Sequence, residues 1–167
     1  MNEPMHNPIR PIVPDDIPAL KNVIEATDMF PSEMLDDIIA GFFNDKDSDE
    51  IWLTYEMADD NLDGKSDAMA VAYCRPEEMT DRTWNLLLIA VHPDCQGGGI
   101  GAALMSYIEN YLTTRNQRVL IVETSGTDAL ARTREFYRLC QYDQESRIRD
   151  FYEDGDDKIT FRKALQD

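Results

Sequence analysis

The residues best suited to chemistry lie in one run, Gln96-Gly97-Gly98-Gly99-Ile100-Gly101, with Ala102 close behind. The apolar stretch Leu86 to Val91 leads into it through His92-Pro93, and Ile100, Leu104, Tyr107, Ile108 and Tyr111 follow at helical spacing. Glycine lets a turn bring backbone N–H groups toward one point with no side chain in the way. The first N–H groups of a helix lack partners inside it and sit at its positive end. Strand, glycine turn and helix start, in that order, make a site for a phosphate or pyrophosphate. The run therefore predicts binding of a phosphorylated small molecule.

Spacing separates the known ways of doing this. A P-loop requires Gly-x-x-x-x-Gly-Lys-Ser/Thr, and no such string occurs. A dinucleotide fold is a closer rival: Gly99-Ile100-Gly101 opens a helix, and Glu123 ends the next apolar run about 20 residues on. Against it, Leu104 stands where the third glycine belongs, and His92 to Gln96 intervene between strand and first glycine. That fold needs its tight turn directly after the strand, so it is the lesser reading.

The elements that must hold this run can be read on either side of it. Ile9 to Ile12 predicts a short first strand. Pro14-Asp15-Asp16 predicts a helix start with acids in its first turn, followed by Ile17, Leu20, Val23 and Ile24 on one face. Ser32 predicts the N-cap of a second helix carrying Leu35, Ile38, Ile39, Phe42 and Phe43. Ile51 to Glu56 and Ala68 to Arg75 predict strands on either side of the turn-rich segment Asp59 to Gly64. Thr83 to Val91 is apolar on both faces, the pattern of a strand in the middle of a sheet. The helix after the glycines runs to about Gln117, and Val119 to Thr124 predicts the next strand. Asp128 or Thr127 predicts a cap for a helix with Leu130, Thr133, Phe136, Tyr137 and Cys140. Gln144 to Tyr152 and Lys158 to Ala164 predict a closing antiparallel pair around Asp154 to Asp157. The order is that of an α/β domain built on one sheet.

Composition bounds what such a domain does. A chain of 167 residues, 43% hydrophobic and 29% charged, is long enough for one core. Its longest apolar run, Leu86 to Val91, is too short for a bilayer, and no membrane partner is expected. Met1 to Pro8 has no basic segment leading into an apolar one, so no secretory signal is expected. Cys74, Cys95 and Cys140 lack metal-ligand spacing and read as reduced thiols of a cytoplasmic protein. The net charge of −17 argues against nucleic acid. Residues 15–50 hold eleven acids against Lys21 and Lys46 alone. That asymmetry fits a solvated surface, or a field that draws in a cationic partner.

Gln96 to Gly101 resembles the Gln/Arg-x-x-Gly-x-Gly/Ala signature of the Gcn5-related N-acetyltransferase (GNAT) family. The preceding Ile89-Ala90-Val91-His92-Pro93, the helix that follows, and Phe136-Tyr137 with Tyr142 are similar to that family's blocks. Arg147 to Lys158 resembles a subgroup of bacterial members, and the resemblance spans Ile9 to Ala164. It implies a single-domain α/β fold: a central mixed, mostly antiparallel sheet flanked by helices and splayed between the fourth and fifth strands. The domain would span residues 9–167, with residues 1–8 a flexible N-terminus. Acetyl-CoA is the implied cosubstrate. Backbone groups near Ile89, Ala90 and Val91 would hold the pantetheine arm. Gln96 opens the signature, and the N–H groups of Gly97, Gly98, Gly99, Ile100, Gly101 and Ala102 would hold the pyrophosphate. One of Arg132, Arg134 and Arg138 would meet the remaining phosphate or simply be solvated.

The implied activity is transfer of the acetyl group to a primary amine of a small molecule or peptide, by direct attack in a ternary complex. No metal is implied. Tyr137 occupies the place of the family's general acid, with a helical core tyrosine as the alternative. The backbone N–H of Ile89 or Val91 would polarise the carbonyl. The family's usual strand Glu falls near Asn85, which cannot serve as a base. Glu123 is the substitute, and a structural ion pair is its equal alternative. His92 reads as a turn residue. Two further departures are Leu130, in place of an Asn that touches the cofactor, and Gln141, in place of a Gly. If that backbone is left-handed, Gln141 costs on the order of 1 kcal/mol. The family admits a homodimer. A non-catalytic acyl-CoA-binding module is the rival on the same fold, and a dinucleotide binder stands behind both.

Overall fold

A computed structural model describes residues 7–57 and 68–166, so the turn predicted at Asp59 to Gly64 and residues 1–6 lie outside it. The chain forms two compact units, Met1–Cys74 with Leu88–Tyr107, and Arg75–Leu87 with Ile108–Asp167.

In the first unit β1 (Ile9–Pro11), β2 (Ile51–Glu56) and β3 (Ala68–Pro76) pair antiparallel, with Ile9 opposite Tyr55 and Ile51 opposite Cys74. Helix α1 (Ile17–Thr27) opens through a 3-10 turn at Pro14–Asp16. Asp16 is buried, and its carboxylate accepts the Val13 N–H and both Arg10 Nη groups, each at 2.8 Å. Helix α2 (Leu35–Asn44) corrects the expected cap. The Ser32 hydroxyl turns to Glu25, and a 3-10 turn with Met34 N–H donating to the Pro31 carbonyl precedes the helix instead. The turn's own backbone bond stands in for a side-chain cap. Leu20, Val23, Ile24, Leu35 and Ile39 pack with Trp52, Val71, Tyr73, Leu88 and Ala90 into one apolar cluster.

The second unit holds the first half of β4 (Thr83–Val91), with β5 (Val119–Ser125), β6 (Asp143–Glu153) and β7 (Asp156–Ala164). β4 and β5 are parallel over four pairs, from Thr83↔Val119 to Leu86↔Val122, and β4 runs on past this ladder through Val91. Parallel neighbours need a crossover, and α3 (Ile100–Thr114) supplies it. That helix stops short of Gln117 because Asn116 turns left-handed (φ 60°), sending the Gln117 N–H back to the Leu112 carbonyl at 3.0 Å. Helix α4 (Ala131–Leu139) follows a 3-10 turn at Asp128–Leu130, and Thr127 starts that turn without a side-chain cap. β5 pairs antiparallel with β7, and β7 with β6.

The seven strands of the described residues belong to one sheet, ordered β1-β2-β3-β4-β5-β7-β6. It is the mixed, mostly antiparallel α/β arrangement expected, with β4 internal as its two-sided apolar pattern requires. Among the described residues no helix is long and apolar enough to cross a membrane.

Candidate active site

The end of β4 and the glycine run lie together in the first unit. Past Val91 the His92 N–H donates to the Met69 carbonyl at 2.8 Å, and the His92 Nδ1 accepts the Asp94 N–H at 3.2 Å. His92 is thus the cap of a 3-10 turn at Pro93–Cys95, the turn residue its sequence suggests. Gln96 Nε2 donates to the Val91 carbonyl at 3.0 Å, which fastens the loop to the strand it leaves.

Gly97 and Gly99 both have φ of +83°, a region that L side chains rarely adopt. A Cβ on either would meet no atom within 4 Å, so backbone conformation, not crowding, calls for glycine there. The first bond of α3 runs from the Ala103 N–H to the Gly99 carbonyl at 2.9 Å. Hence the N–H groups of Ile100, Gly101 and Ala102 precede the ladder, and those of Gly97 to Gly99 also make no hydrogen bond within the described protein. No acidic side chain sits in the first turn of α3 to compete for them. The donors, the open space and the helix polarity fit a diphosphate. Ile89, Ala90 and Val91 form the last residues of β4 just before this loop.

The catalytic candidates lie in the second unit. Tyr137 is the buried residue of α4, and its ring meets Phe136, Tyr142 and Phe161 with centroids 5.4, 6.3 and 5.5 Å away. Burial, with a smaller contribution from Cys140, pushes its phenol above the ordinary tyrosine value, so it stays protonated at neutral pH. Its hydroxyl makes no hydrogen bond among the described residues, whereas the Tyr142 hydroxyl donates to Glu109 at 3.0 Å. Gln141 is left-handed at φ 69°, so the condition under which its replacement of a Gly carries a cost is met. The Gln141 N–H donates to Arg138 and the Tyr142 N–H to Tyr137, closing the end of α4.

Glu123 sits on β5 opposite Thr160, and its Oε1 meets Lys158 Nζ at 3.1 Å. The partner is a lysine on β7, so the ion-pair alternative to a catalytic role is present in the structure. Asn85 is buried, and its Nδ2 donates to Glu77 Oε2 at 3.1 Å, a contact the sequence gives no sign of because the β3–β4 turn creates it. Of the three arginines, Arg134 is committed to the carbonyls of Ser125 (2.9 Å) and Thr127 (2.7 Å), and Arg138 to Gln144 and Glu135. Arg132 is exposed and makes no such contact among the described residues. No group of three or more His, Cys, Asp or Glu able to hold a metal occurs among the described residues.

Comparison with known proteins bears on both units. Residues 48–153 match the acetyltransferase (GNAT) domain family. An uncharacterized N-acetyltransferase from Methanocaldococcus jannaschii is 35% identical over 80 residues, covering 47% of this chain; the chain spans about half of that relative's length, 50%. A crystal structure from Desulfovibrio desulfuricans assigned to the GNAT family has 27% identity and a TM-score of 0.81, covering 94% of this chain and 98% of that one. An aminoglycoside 6'-N-acetyltransferase solved with coenzyme A has 16% identity and a TM-score of 0.72, covering 94% and 96%, and shares the fold. With the glycine signature on its unpaired donors and the family match across most of the sheet, the chain belongs to the GNAT acetyltransferase family.

Proposed function

We propose that residues 9–167 form an N-acetyltransferase that moves an acetyl group from acetyl-CoA to a primary amine by direct attack in a ternary complex. The single observation that carries this reading is the set of unpaired N–H groups from Gly97 to Ala102 at the start of α3. These donors would hold the diphosphate, with Gln96 fixing their loop to Val91 and the backbone of Ile89, Ala90 and Val91 lining the arm beyond. Acetyl-CoA supplies the acetyl thioester. The amine nitrogen bonds the carbonyl carbon, the C–S bond breaks, the nitrogen loses a proton and the sulfur gains one.

Glu123, the carboxylate paired with Lys158, is the candidate for taking the amine's proton. Tyr137 is the candidate for meeting the sulfur. A phenol held above its ordinary value gives up a proton reluctantly but donates a hydrogen bond to a thiolate throughout neutral pH. The backbone N–H of Ile89 or Val91 would polarise the carbonyl. The acidic residues of 15–50 favour a cationic acceptor.

The Glu123–Lys158 pair and Asn85 in place of a carboxylate favour the rival, a non-catalytic acyl-CoA-binding module. One experiment separates them: mass spectrometry of an amine and peptide panel incubated with acetyl-CoA, with Tyr137→Phe alongside. The parent should acetylate a member of the panel. The variant should retain acetyl-CoA affinity and lose turnover by roughly a hundredfold, the scale of a single positioned acid. Tight coenzyme binding without any product supports the module, and an unchanged rate removes Tyr137 from the chemistry.

A further inference from the structure

The turn that joins β3 to β4 carries a carboxylate with an unusual setting. The Glu77 N–H donates to the Thr83 carbonyl at 2.8 Å, which fixes its backbone at the head of β4. Its half-buried side chain accepts from Asn85 Nδ2 at 3.1 Å. Asn85 itself is only 5% exposed. Its Oδ1 is the one buried side-chain polar atom among the described residues that lacks a partner. An unmet buried acceptor is destabilising, and an apolar residue such as the neighbouring Leu86 would avoid it. What the amide provides is a donor aimed at Glu77.

Three other partly buried carboxylates of this unit have cations of their own. Glu109 meets Lys163 at 2.6 Å, Glu123 meets Lys158 at 3.1 Å and Asp157 meets Arg147 at 2.6 Å. Glu77 has none among the described residues. A half-buried carboxylate held by a neutral donor, with no internal cation, is a receptor for a charge-assisted hydrogen bond from outside. With one carboxylate and one amide it fits an organic ammonium better than a metal ion. Asn85 is in register with Ile121, and Glu123 lies two residues further along β5 on the same face. Strand spacing and rise set the Asn85 and Glu123 backbones about 8 Å apart.

We propose that Glu77, positioned by Asn85, binds a second ammonium group of the acceptor, so that the acceptor is a diamine or larger polycation. The inference deepens the acetyl-transfer reading by naming the acceptor class, and rests on that reading for the fate of the other nitrogen. The test is a titration of the ¹⁵N-labelled full chain with 1,4-diaminobutane, following the Asn85 side-chain amide resonances. Butylamine and sodium chloride at matched ionic strength serve as controls, and Asn85→Ala identifies the resonances. The diamine should shift them saturably, with butylamine at least tenfold weaker. Glu77→Gln should weaken the diamine at least tenfold while keeping the parent's melting temperature and acetyl-CoA affinity. Glu77→Asp, which withdraws the carboxylate by one methylene, should act alike and covers the case of a poorly folded Gln variant. No shift at Asn85, or a response undiminished in both variants, overturns the proposal. Acetyl-CoA binding on the same samples is read separately: its absence would end the acetyl-transfer reading and leave the ammonium site to be judged on the amide shifts.

Discussion

Gly97 and Gly99 hold a backbone conformation that would cost any other residue about 1–2 kcal/mol, although each has open space where a side chain would go. Gly99→Ala should therefore disturb the loop by its φ alone. The acetyl-CoA dissociation constant should rise roughly tenfold by calorimetry, since a strained loop no longer presents its N–H groups together. An unchanged constant would mean that this conformation plays no part in binding. These glycines were legible in the sequence because glycine is the residue type that readily takes such a backbone conformation. Glu77 was not. Its meeting with Asn85 depends on how the β3–β4 turn closes, and nothing in either residue's type announces it. Glu123 lies between these cases: its strand end was legible, its lysine partner was not, because the β5–β7 register brings Lys158 to it.

The end of α4 shows an element working against one of its residues. Gln141 is the left-handed residue after the helix, and the bonds from Gln141 to Arg138 and from Tyr142 to Tyr137 are those of a closing motif that glycine favours. The Tyr137 and Tyr142 rings, 6.3 Å apart, add the apolar contact that accompanies it. Gln141→Gly relieves the left-handed strain but loosens the unfolded chain, leaving a net gain of roughly 0.5–1 kcal/mol. The melting temperature should rise by about 2 °C in a scanning calorimeter, and a fall would show that the Gln side chain contributes more than its backbone costs. Strands were read from the sequence with close bounds, β4 with the same ends the structure gives. Helix starts were read less well. At Ser32 and Thr127 the chain enters through a 3-10 turn, and the side chains that look like caps bond elsewhere, to Glu25 and Ser125. Composition marks a cap but not the rival partner that tertiary packing brings near.

For the whole molecule, the net charge of −17 acts from a distance on any charged ligand, the two proposed substrates included. It repels the anionic coenzyme and attracts a cationic amine, and salt weakens both effects as the screening length shrinks. The KM for acetyl-CoA should fall, and the KM of a cationic acceptor should rise, between about 0.02 and 0.3 M NaCl. Steady-state kinetics at fixed pH checks this, and parallel responses of the two constants would count against a cationic acceptor. At the sheet's far margin, β6 is solvent-facing along its whole length. Its register with β7 breaks between Ile148 and Glu153, where Asp150 turns left-handed, donates its N–H to Asp157 and accepts the Gly155 N–H. A stray strand from another molecule can therefore follow β6 in straight register only as far as that kink, where the backbone turns left-handed. Crowded copies of this chain would find no straight rail along β6 beyond that kink on which to zip into fibrils.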